Sequence, residues 1–192
     1  MLRRLYDWTL SLSAGPRAPY ALGFVAFVES SVFPLPPDLL LIPMCVSKRQ
    51  KAWLYALICM VASVLGGLLG YMIGAVLFEE VAKPILSFYG YMEKFDRFAK
   101  IFEDWGWWFV FIAGLTPFPY KVITIASGVF ALNIPVFIMA SIVSRGIRFF
   151  VVAGLVYLFG PTIRDFIEKR LGLVFTAFIV LLVGGFALIK FL

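Results

Sequence analysis

The chain alternates between long apolar stretches and short segments rich in charges and prolines. Two apolar stretches, 52–77 and 134–159, are long enough to cross the ~30 Å hydrocarbon core of a bilayer, which needs about 20 residues. A third stretch, 171–192, has similar composition. Because a segment in lipid must satisfy its backbone hydrogen bonds internally, we predict a transmembrane helix at each of the three.

Two further apolar stretches, 20–46 and 107–130, are each interrupted by a proline-rich break. The prolines are Pro34 and Pro36 in the first break and Pro117 and Pro119 in the second. Proline lacks a backbone donor and clashes with the preceding helical turn, so two prolines at this spacing break a helix. In lipid the freed backbone groups must be buried in protein or face water. We therefore predict a re-entrant helical hairpin in each stretch.

The distribution of basic residues favours re-entry over spanning. Basic clusters lie on both sides of stretch 20–46 and again after 134–159. Their members are Arg3, Arg4, Arg17, Lys48, Arg49, Lys51, Arg164, Lys169 and Arg170. Since positive charge favours the cytoplasmic side, a hairpin that enters and leaves on that side places the first two clusters correctly. The second hairpin then opens from the outside.

A hairpin followed by a spanning helix therefore occurs twice, with opposite orientation. Pro34 and Pro117 lie 83 residues apart, and Asp38 and Lys121 each follow the first proline of their break by four positions. Inverted repeats of broken helices are typical of secondary transporters.

The remaining segments complete the predicted architecture. Segments 1–18 and 82–104 mix charged and aromatic residues, as interfacial amphipathic helices do. The sequence predicts one all-α integral membrane domain, 1–192. It consists of an inverted repeat of a re-entrant helical hairpin plus a transmembrane helix, with an N-terminal amphipathic helix and a C-terminal transmembrane helix.

Composition agrees with lipid as the solvent and argues against several kinds of chemistry. Of the 192 residues, 62% are hydrophobic and only 15% are charged, against about 25% charged in a soluble domain. Histidine is absent, which removes His-dependent nucleophiles and the commonest metal ligand. Cys45 and Cys59 lack a C-x-x-C spacing and are interpreted as small buried apolar residues. We expect no enzymatic activity, cofactor or metal.

The net charge is +6, but the basic residues form no stripe with aromatic residues that would indicate nucleic-acid binding. We therefore assign the positive charge to cytoplasmic loops. Gly70 and Gly74 form a G-x-x-x-G motif, which we interpret as helix packing within the bundle. This motif and the aromatic faces also allow a homodimer without requiring one.

Five charged residues lie inside apolar stretches: Glu29, Asp38, Lys121, Arg145 and Arg148. A charge at the bilayer centre costs at least about 2.5–3.5 kcal/mol, so these residues must face one another or a wet cavity. One interpretation is purely structural, with the charges pairing as buried salt bridges, although two acids and three bases leave one positive charge over. The functional interpretation is preferred because intramembrane ionisable groups usually mark transport sites.

The functional interpretation assigns roles by chemistry. Arg145 and Arg148 carry forked donors suited to phosphate oxygens, with Lys121 as a supporting point charge. The weaker polar candidates for the headgroup are Thr116, Tyr120 and Ser127. Desolvated carboxylates that could bind and release a proton are Glu29 and Asp38. The residues expected to shape the hairpins are Pro34, Pro36, Pro117, Pro119, Gly114 and Gly128.

Three parts of the sequence together resemble the DedA superfamily (SNARE-associated or VTT domain proteins), especially its YqaA-like branch. The matching parts are 29–38 (ESSVFPLPPD), 114–128 (GLTPFPYK through IASG) and 144–149 (SRGIRF). With the intervening helices, the resemblance covers roughly 20–160. It implies two opposed re-entrant hairpins, movement of lipids such as undecaprenyl phosphate or phospholipids across the bilayer, and dependence on the proton-motive force. Glu29 and Asp38 match the family's acidic positions.

The sequence therefore predicts a multi-pass protein of a bacterial-type inner (plasma) membrane that moves a phosphate-bearing lipid between leaflets. Its expected partners are membrane lipids, an anionic lipid-linked phosphate and protons. The alternatives are a transporter of small ions or cationic drugs and a non-transporting membrane scaffold. An integral membrane enzyme such as a lipid phosphatase comes last, because the sequence lacks a recognisable nucleophile, base or metal set.

Overall fold

The structure is a computed structural model that describes residues 17–31, 36–88, 92–116 and 119–160. Within these ranges the chain is helical and has no strand. The helices are α1 (Ala18–Ser31), α2 (Asp38–Ser47), α3 (Ala52–Leu77), α4 (Lys83–Phe88), α5 (Met92–Leu115), α6 (Tyr120–Val129) and α7 (Ile134–Gly160). A 3-10 turn, Arg49–Lys51, joins α2 to α3, and a π-helical turn, Phe78–Ala82, joins α3 to α4.

Two helical stretches of the described ranges are long and apolar enough to cross a membrane. They are Arg49–Glu80, which contains α3, and Ile134–Gly160, which is α7. The expectation of an all-helical chain with long apolar helices is confirmed for this part of the chain. The predicted spanning segment 171–192 lies outside the described residues, and so does nearly all of the predicted interfacial helix 1–18.

Helix α3 packs closely against α1 and α6 through a face of glycines. Gly66, Gly70 and Gly74 are spaced by four residues and therefore share that face. A Cβ on Gly66 would overlap the carbonyl oxygen of Phe27 in α1, and a Cβ on Gly74 would overlap that of Ile125 in α6. Missing side chains let helix backbones approach. The G-x-x-x-G motif thus packs the bundle, as the sequence indicated.

Two buried clusters lie toward opposite ends of α3 and α7. One joins α1, α2, α3 and α7, and its fully buried members include Leu41, Cys45, Cys59 and Phe149. The other joins α5, α6 and α7, with partly buried side chains of α3 packed against it. Both cysteines are free and buried, so their interpretation as small apolar core residues is confirmed.

Short helices flank the first proline-rich break and follow the second, which the 24-residue helix α5 precedes. Helix α1 has 14 residues and α2 and α6 have 10 each, which at 1.5 Å per residue gives about 21 Å and 15 Å. Each is shorter than the ~30 Å core of a bilayer. Pro37 caps the start of α2 and Pro119 that of α6. Of the predicted hairpin-shaping prolines, Pro36 and Pro119 are described, whereas Pro34 and Pro117 lie outside the described residues.

The region before the second break differs from the predicted division. The sequence predicts an amphipathic segment that ends at 104 and a hairpin that begins at 107, but α5 runs without interruption through Met92–Leu115. No proline occurs between these residues, so nothing in the backbone forces a break there. The composition of α5 therefore changes from charged to apolar near Trp105 within one continuous helix, and no helix ends there.

The turn between α6 and α7 is a Schellman motif with alanine in an uncommon conformation. The Leu132 amide donates to the Ser127 carbonyl at 2.9 Å and the Ala131 amide to the Gly128 carbonyl at 3.1 Å. Ala131 has a φ of 51°, a left-handed position usually taken by glycine. Asn133 then caps α7 by accepting from the Val136 amide at 3.3 Å.

Replacing the glycine that touches the backbone of α1 should destabilise the fold selectively. Gly66→Ala forces a Cβ into the Phe27 carbonyl, so we expect a loss of about 1–3 kcal/mol in unfolding free energy. The matched control is Gly67→Ala, whose Cβ would lie 3.4 Å from its neighbours. The control should be neutral or stabilising by up to about 1 kcal/mol. Unfolding in detergent micelles measures both, and equal losses would contradict the close approach.

Relaxing the left-handed alanine should stabilise the protein. A non-glycine residue in this conformation costs about 1–2 kcal/mol, which exceeds the added backbone entropy of glycine in the unfolded chain. We expect Ala131→Gly to raise the unfolding free energy by about 0.5–1 kcal/mol. Ala62→Gly, inside α3, is the control and should lower it. A loss in both variants would mean that the turn carries no strain.

Candidate functional site

The charged residues of the apolar stretches meet where α7 faces the first break. Helix α7 contributes Arg145 and Arg148, the end of α1 contributes Glu29, and the first residue of α2 is Asp38. The two arginines lie three residues apart and hence on one side of their helix. Each pairs with one acid, so the structure brings together four of the five charges that the sequence singled out.

The inner pair joins Arg145 to Glu29. The distance from Arg145 Nη2 to Glu29 Oε2 is 2.8 Å, and Arg145 is only 1% exposed. Ser30 adjoins the pair, because its hydroxyl donates to Glu29 Oε2 at 3.1 Å and lies 3.3 Å from Arg145 Nη2. The Ser30 hydroxyl also lies 2.6 Å from that of Ser63 in α3. A charge-assisted bond of this length in a dry interior ties α7 firmly to the end of α1.

An aromatic ring completes the surroundings of the inner arginine. The Arg145 guanidinium carbon lies 3.9 Å from the ring centroid of Tyr120, the first residue of α6. The Tyr120 hydroxyl donates to that of Ser141, one helical turn before Arg145. A cation over an aromatic face is stabilised by the ring quadrupole, most strongly away from water. Tyr120, a weaker candidate in the sequence, is therefore an inner neighbour of Arg145.

The outer pair joins Arg148 to Asp38. Arg148 Nη2 lies 2.6 Å from Asp38 Oδ2, with the two side chains 18% and 21% exposed. Arg148 Nη1 donates to the backbone carbonyl of Thr116 at 2.9 Å. Asp38 follows the first proline-rich break and Thr116 precedes the second. One guanidinium group thus contacts both interrupted segments.

A cavity opens beside the outer pair. Its volume is about 300 Å³, and its lining consists of Asp38, Leu115, Ile147, Arg148, Val151 and Val152. Asp38 Oδ1 is buried and has no hydrogen-bond partner among the described residues. The cavity therefore combines one ion pair with otherwise apolar walls, and the second oxygen of the same carboxylate is buried next to it.

The other predicted residues are distributed over the helices around the two pairs. Lys121 is half-buried at the start of α6. The hydroxyl of Thr116 bonds the Ile112 carbonyl at 2.8 Å, so this residue reaches Arg148 with its backbone and not its side chain. Ser127 bonds the Ile123 carbonyl within its own helix. A Cβ on Gly114 would overlap the Ser144 hydroxyl, and one on Gly128 the Tyr71 carbonyl, so both glycines serve helix contacts.

A set of buried hydroxyl groups around the inner pair was missed by the sequence analysis. Its members are Ser30, Ser63, Thr124 and Ser141, all 0% exposed. Thr124 in α6 donates to the Ser30 carbonyl at 3.2 Å, which links α6 to the end of α1. One signal was available, since Ser141 precedes Arg145 by four residues and shares its helix face. Ser63 and Thr124 carry no such signal, because their partners lie far away in the sequence.

The two pairs differ in what can reach them. Both arginines form the salt bridges that the purely structural interpretation of the sequence predicts. Arg145 is closed off by protein, whereas Arg148 and Asp38 line a cavity. A ligand can meet the outer pair without repacking the core, so the predicted phosphate-binding role of Arg145 requires a conformational change that Arg148 does not. The described residues contain no group of three or more side chains able to hold a metal ion.

Breaking the inner pair should cost far more stability than breaking the outer one. Arg145→Met removes a buried arginine and leaves Glu29, whose side chain is 16% exposed, without its charged partner, for which we expect a loss of about 3–5 kcal/mol. Arg148→Met should cost less, about 1–3 kcal/mol, since the Arg148 side chain is itself 18% exposed and lines a cavity. Unfolding in detergent measures both. The double variant Glu29→Gln/Arg145→Met should recover most of the first loss, and additive losses would contradict the pairing.

Comparison with known proteins shows the family to which the chain belongs. Residues 35–158, more than half of the chain, match the family model described as the VTT domain. An uncharacterized protein of Haemophilus influenzae is 36% identical over 186 residues, or 97% of this chain and 96% of its own length. An uncharacterized protein of Histophilus somni is 34% identical over 79% of this chain and 78% of its own. No solved structure matches the chain. The chain belongs to the VTT domain family, the DedA/SNARE-associated family of membrane proteins.

Proposed function

We propose that this protein is a multi-pass inner-membrane transporter that moves a phosphate-bearing lipid between leaflets. The family suggests a transporter-like role in the membrane. The observation that carries the finer proposal is the cavity of about 300 Å³ in which one arginine and one aspartate stand among aliphatic side chains. A lipid with a single anionic headgroup and apolar chains has the complementary chemistry, because both its charge and its chains find matching partners there.

The headgroup would bind by replacing an internal partner of Arg148. A phosphate group presents oxygens that match the forked donors of a guanidinium group. In the resting arrangement these donors are taken by Asp38 at 2.6 Å and the Thr116 carbonyl at 2.9 Å. A phosphate that displaces Asp38 keeps the arginine neutralised, and the released carboxylate takes up a proton, so that it is not left charged and unpaired in the membrane. Polyprenyl phosphate and phospholipid headgroups share this chemistry.

Proton coupling would act on the same carboxylate. A proton on Asp38 removes the negative charge that holds Arg148, and its unpartnered Oδ1 is the atom that could receive it. Protonation would then free Arg148 for the headgroup, and deprotonation would expel it. Glu29, which is held by Arg145 and Ser30 and has a side chain 16% exposed, is the second candidate acceptor.

The breaks are proposed to be re-entrant hairpins that open from opposite sides. Helices α1 and α2, the two arms of the first hairpin, and α6, the second arm of the second hairpin, are each too short to cross ~30 Å of hydrocarbon. Helix α5 has 24 residues, so the length argument supports the second hairpin through α6 alone. Arg148 contacts residues at both breaks, so a change at one is transmitted to the other. Two opposed hairpins linked through one residue would give alternating access of the kind known for inverted-repeat transporters.

A non-transporting scaffold is the second candidate, and the inner pair favours it. Arg145 is 1% exposed and is held by Glu29, Ser30 and Tyr120. A buried charge with this many partners is suited to fixing helix positions and not to binding a substrate. Transporters of small ions or cationic drugs, and enzymes, lack a comparable supporting observation in the described residues.

Reconstitution in liposomes tests the proposal. Leaflet exchange of a labelled phospholipid and of a polyprenyl phosphate is followed with and without a pH gradient. Since hydrogen bonds to a charged group contribute about 1.5–3 kcal/mol, Arg148→Gln should slow exchange by about 10- to 150-fold. Asp38→Asn should abolish any response to the gradient. Lys83→Gln is the matched control, because it removes one positive charge from the exposed pair with Glu79 and should leave exchange unchanged.

Each variant is first shown to be folded by gel filtration and thermal unfolding. Exchange by the wild-type protein no faster than in empty liposomes, for every lipid tried, would overturn the transport proposal and favour the scaffold. Exchange that requires Asp38 but not Arg148 would instead favour a cationic substrate.

A further inference from the structure

A backbone carbonyl near the end of α7 receives its hydrogen bond from a distant side chain. Pro161 lies four residues after Tyr157 and has no N–H, so the ordinary helical bond to the Tyr157 carbonyl is unavailable. Arg49, 108 residues earlier in the sequence, donates from Nη2 to this carbonyl and lies 3.4 Å from that of Leu158. Arg49 therefore supplies a donor that the sequence of α7 itself lacks.

The guanidinium group fits closely over the last turn of α7. Its central carbon lies 5.7 Å from the ring centroid of Tyr157. Gly160 has no side chain, and a Cβ there would lie 3.3 Å from Arg49 Nε. Carbonyl groups at the end of a helix carry partial negative charge, which favours a cation at this position. Both carbonyls lie near the same nitrogen, Nη2, which the planar guanidinium group holds in a fixed orientation, whereas an ammonium group on a flexible stem has no such fixed orientation.

An aromatic contact next to Arg49 strengthens the same junction. Trp53, four residues later in the first turn of α3, lies 6.0 Å from the ring of Phe150 and 6.0 Å from that of Tyr157. A Cβ on Gly154 would lie 3.4 Å from the Trp53 ring, in ordinary contact. The ring thus covers one face of α7 over about two turns. The polar and aromatic contacts together fix the end of α7 against the α2–α3 connection.

The junction and the outer ion pair hold two helical segments at both ends. Asp38 begins α2 and pairs with Arg148, and Arg49 follows α2 and bonds Tyr157. Arg148 and Tyr157 are nine residues apart on α7, about 13.5 Å, and Asp38 and Arg49 are eleven residues apart across α2 and the 3-10 turn. The two contacts therefore hold α7 at two points along its length, and a shift of α7 along its axis would disturb both.

We propose that Arg49 is a positioning residue that fixes the axial register of α7 and thereby sets Arg148 against Asp38 at the cavity. The effect on transport rests on the proposed function, whereas the register itself is a property of the fold. Arg49 touches no lining residue of the cavity among those described, so it acts through the helix. Its loss leaves the cavity side chains and the Arg145–Glu29 pair in place but releases the end of α7 that follows Arg148.

The test measures helix position and lipid exchange in the same variants. Spin labels are attached at Met72→Cys in α3 and Leu155→Cys in α7, both of which are exposed positions. Cys45 and Cys59 are 0% exposed and stay unlabelled. Arg49→Gln removes the guanidinium group, and Arg49→Lys keeps the positive charge without it. The control, Lys51→Gln, removes one charge from the same 3-10 turn. Pulsed electron resonance gives the distance distribution, and liposomes give the exchange rate.

We expect Arg49→Gln to broaden or shift the distance distribution by about 1.5 Å or more, one residue's rise. The exchange rate should fall by about 2- to 30-fold, as for residues that couple distant sites. Arg49→Lys should lie between Arg49→Gln and the wild type in both measurements. Lys51→Gln should match the wild type.

Two outcomes would overturn the positioning role. An unchanged distance distribution in Arg49→Gln would show that α7 keeps its register without the arginine. Equal changes in Arg49→Gln and Lys51→Gln would assign the effect to surface charge. If Arg49→Gln does not fold, Arg49→Lys carries the same comparison. A changed distribution without lipid exchange even in the wild-type protein would uphold the positioning role and refute the proposed transport function.

Discussion

Charge buried in an apolar bundle must be neutralised where it stands, and this requirement organises the structure. Arg145 and Arg148 project from one side of α7, and each finds a carboxylate on the first interrupted segment. Leaving either arginine unpaired in a dry interior would cost several kcal/mol. The helix therefore has a narrow choice of rotation and height, and the first break must lie against it.

Close backbone packing makes these pairs reachable. Glycines on α3 let α1 and α6 approach until their carbonyls nearly touch its backbone. That approach brings Thr124 of α6 within 3.2 Å of the Ser30 carbonyl, beside the inner ion pair. The polar interior and the small-residue faces are thus parts of one arrangement, because long side chains on α3 would hold the charged groups apart.

The two ion pairs differ in their surroundings and therefore in what each can do. The inner pair is enclosed by serine hydroxyls and the Tyr120 ring, and it fixes α7 against α1. The outer pair borders a cavity and, through Arg148, also holds the carbonyl that precedes the second break. Under the proposed function, a rigid inner pair would supply the fixed reference against which an exchangeable outer pair moves.

The sequence by itself determined the all-helical membrane character, the positions of the two breaks, and the identity of the charged residues. Apolar length, proline chemistry and the cost of intramembrane charge are local properties, so they can be read without a fold. The tertiary structure alone decided which acid meets which arginine, that Thr116 contributes its carbonyl and not its hydroxyl, and that Ser63 and Thr124 join the interior. It also decided that α5 continues past residue 104, where the sequence indicated a boundary. These outcomes depend on helix rotation and on contacts between residues about 30 to 120 positions apart, which spacing along the chain does not encode.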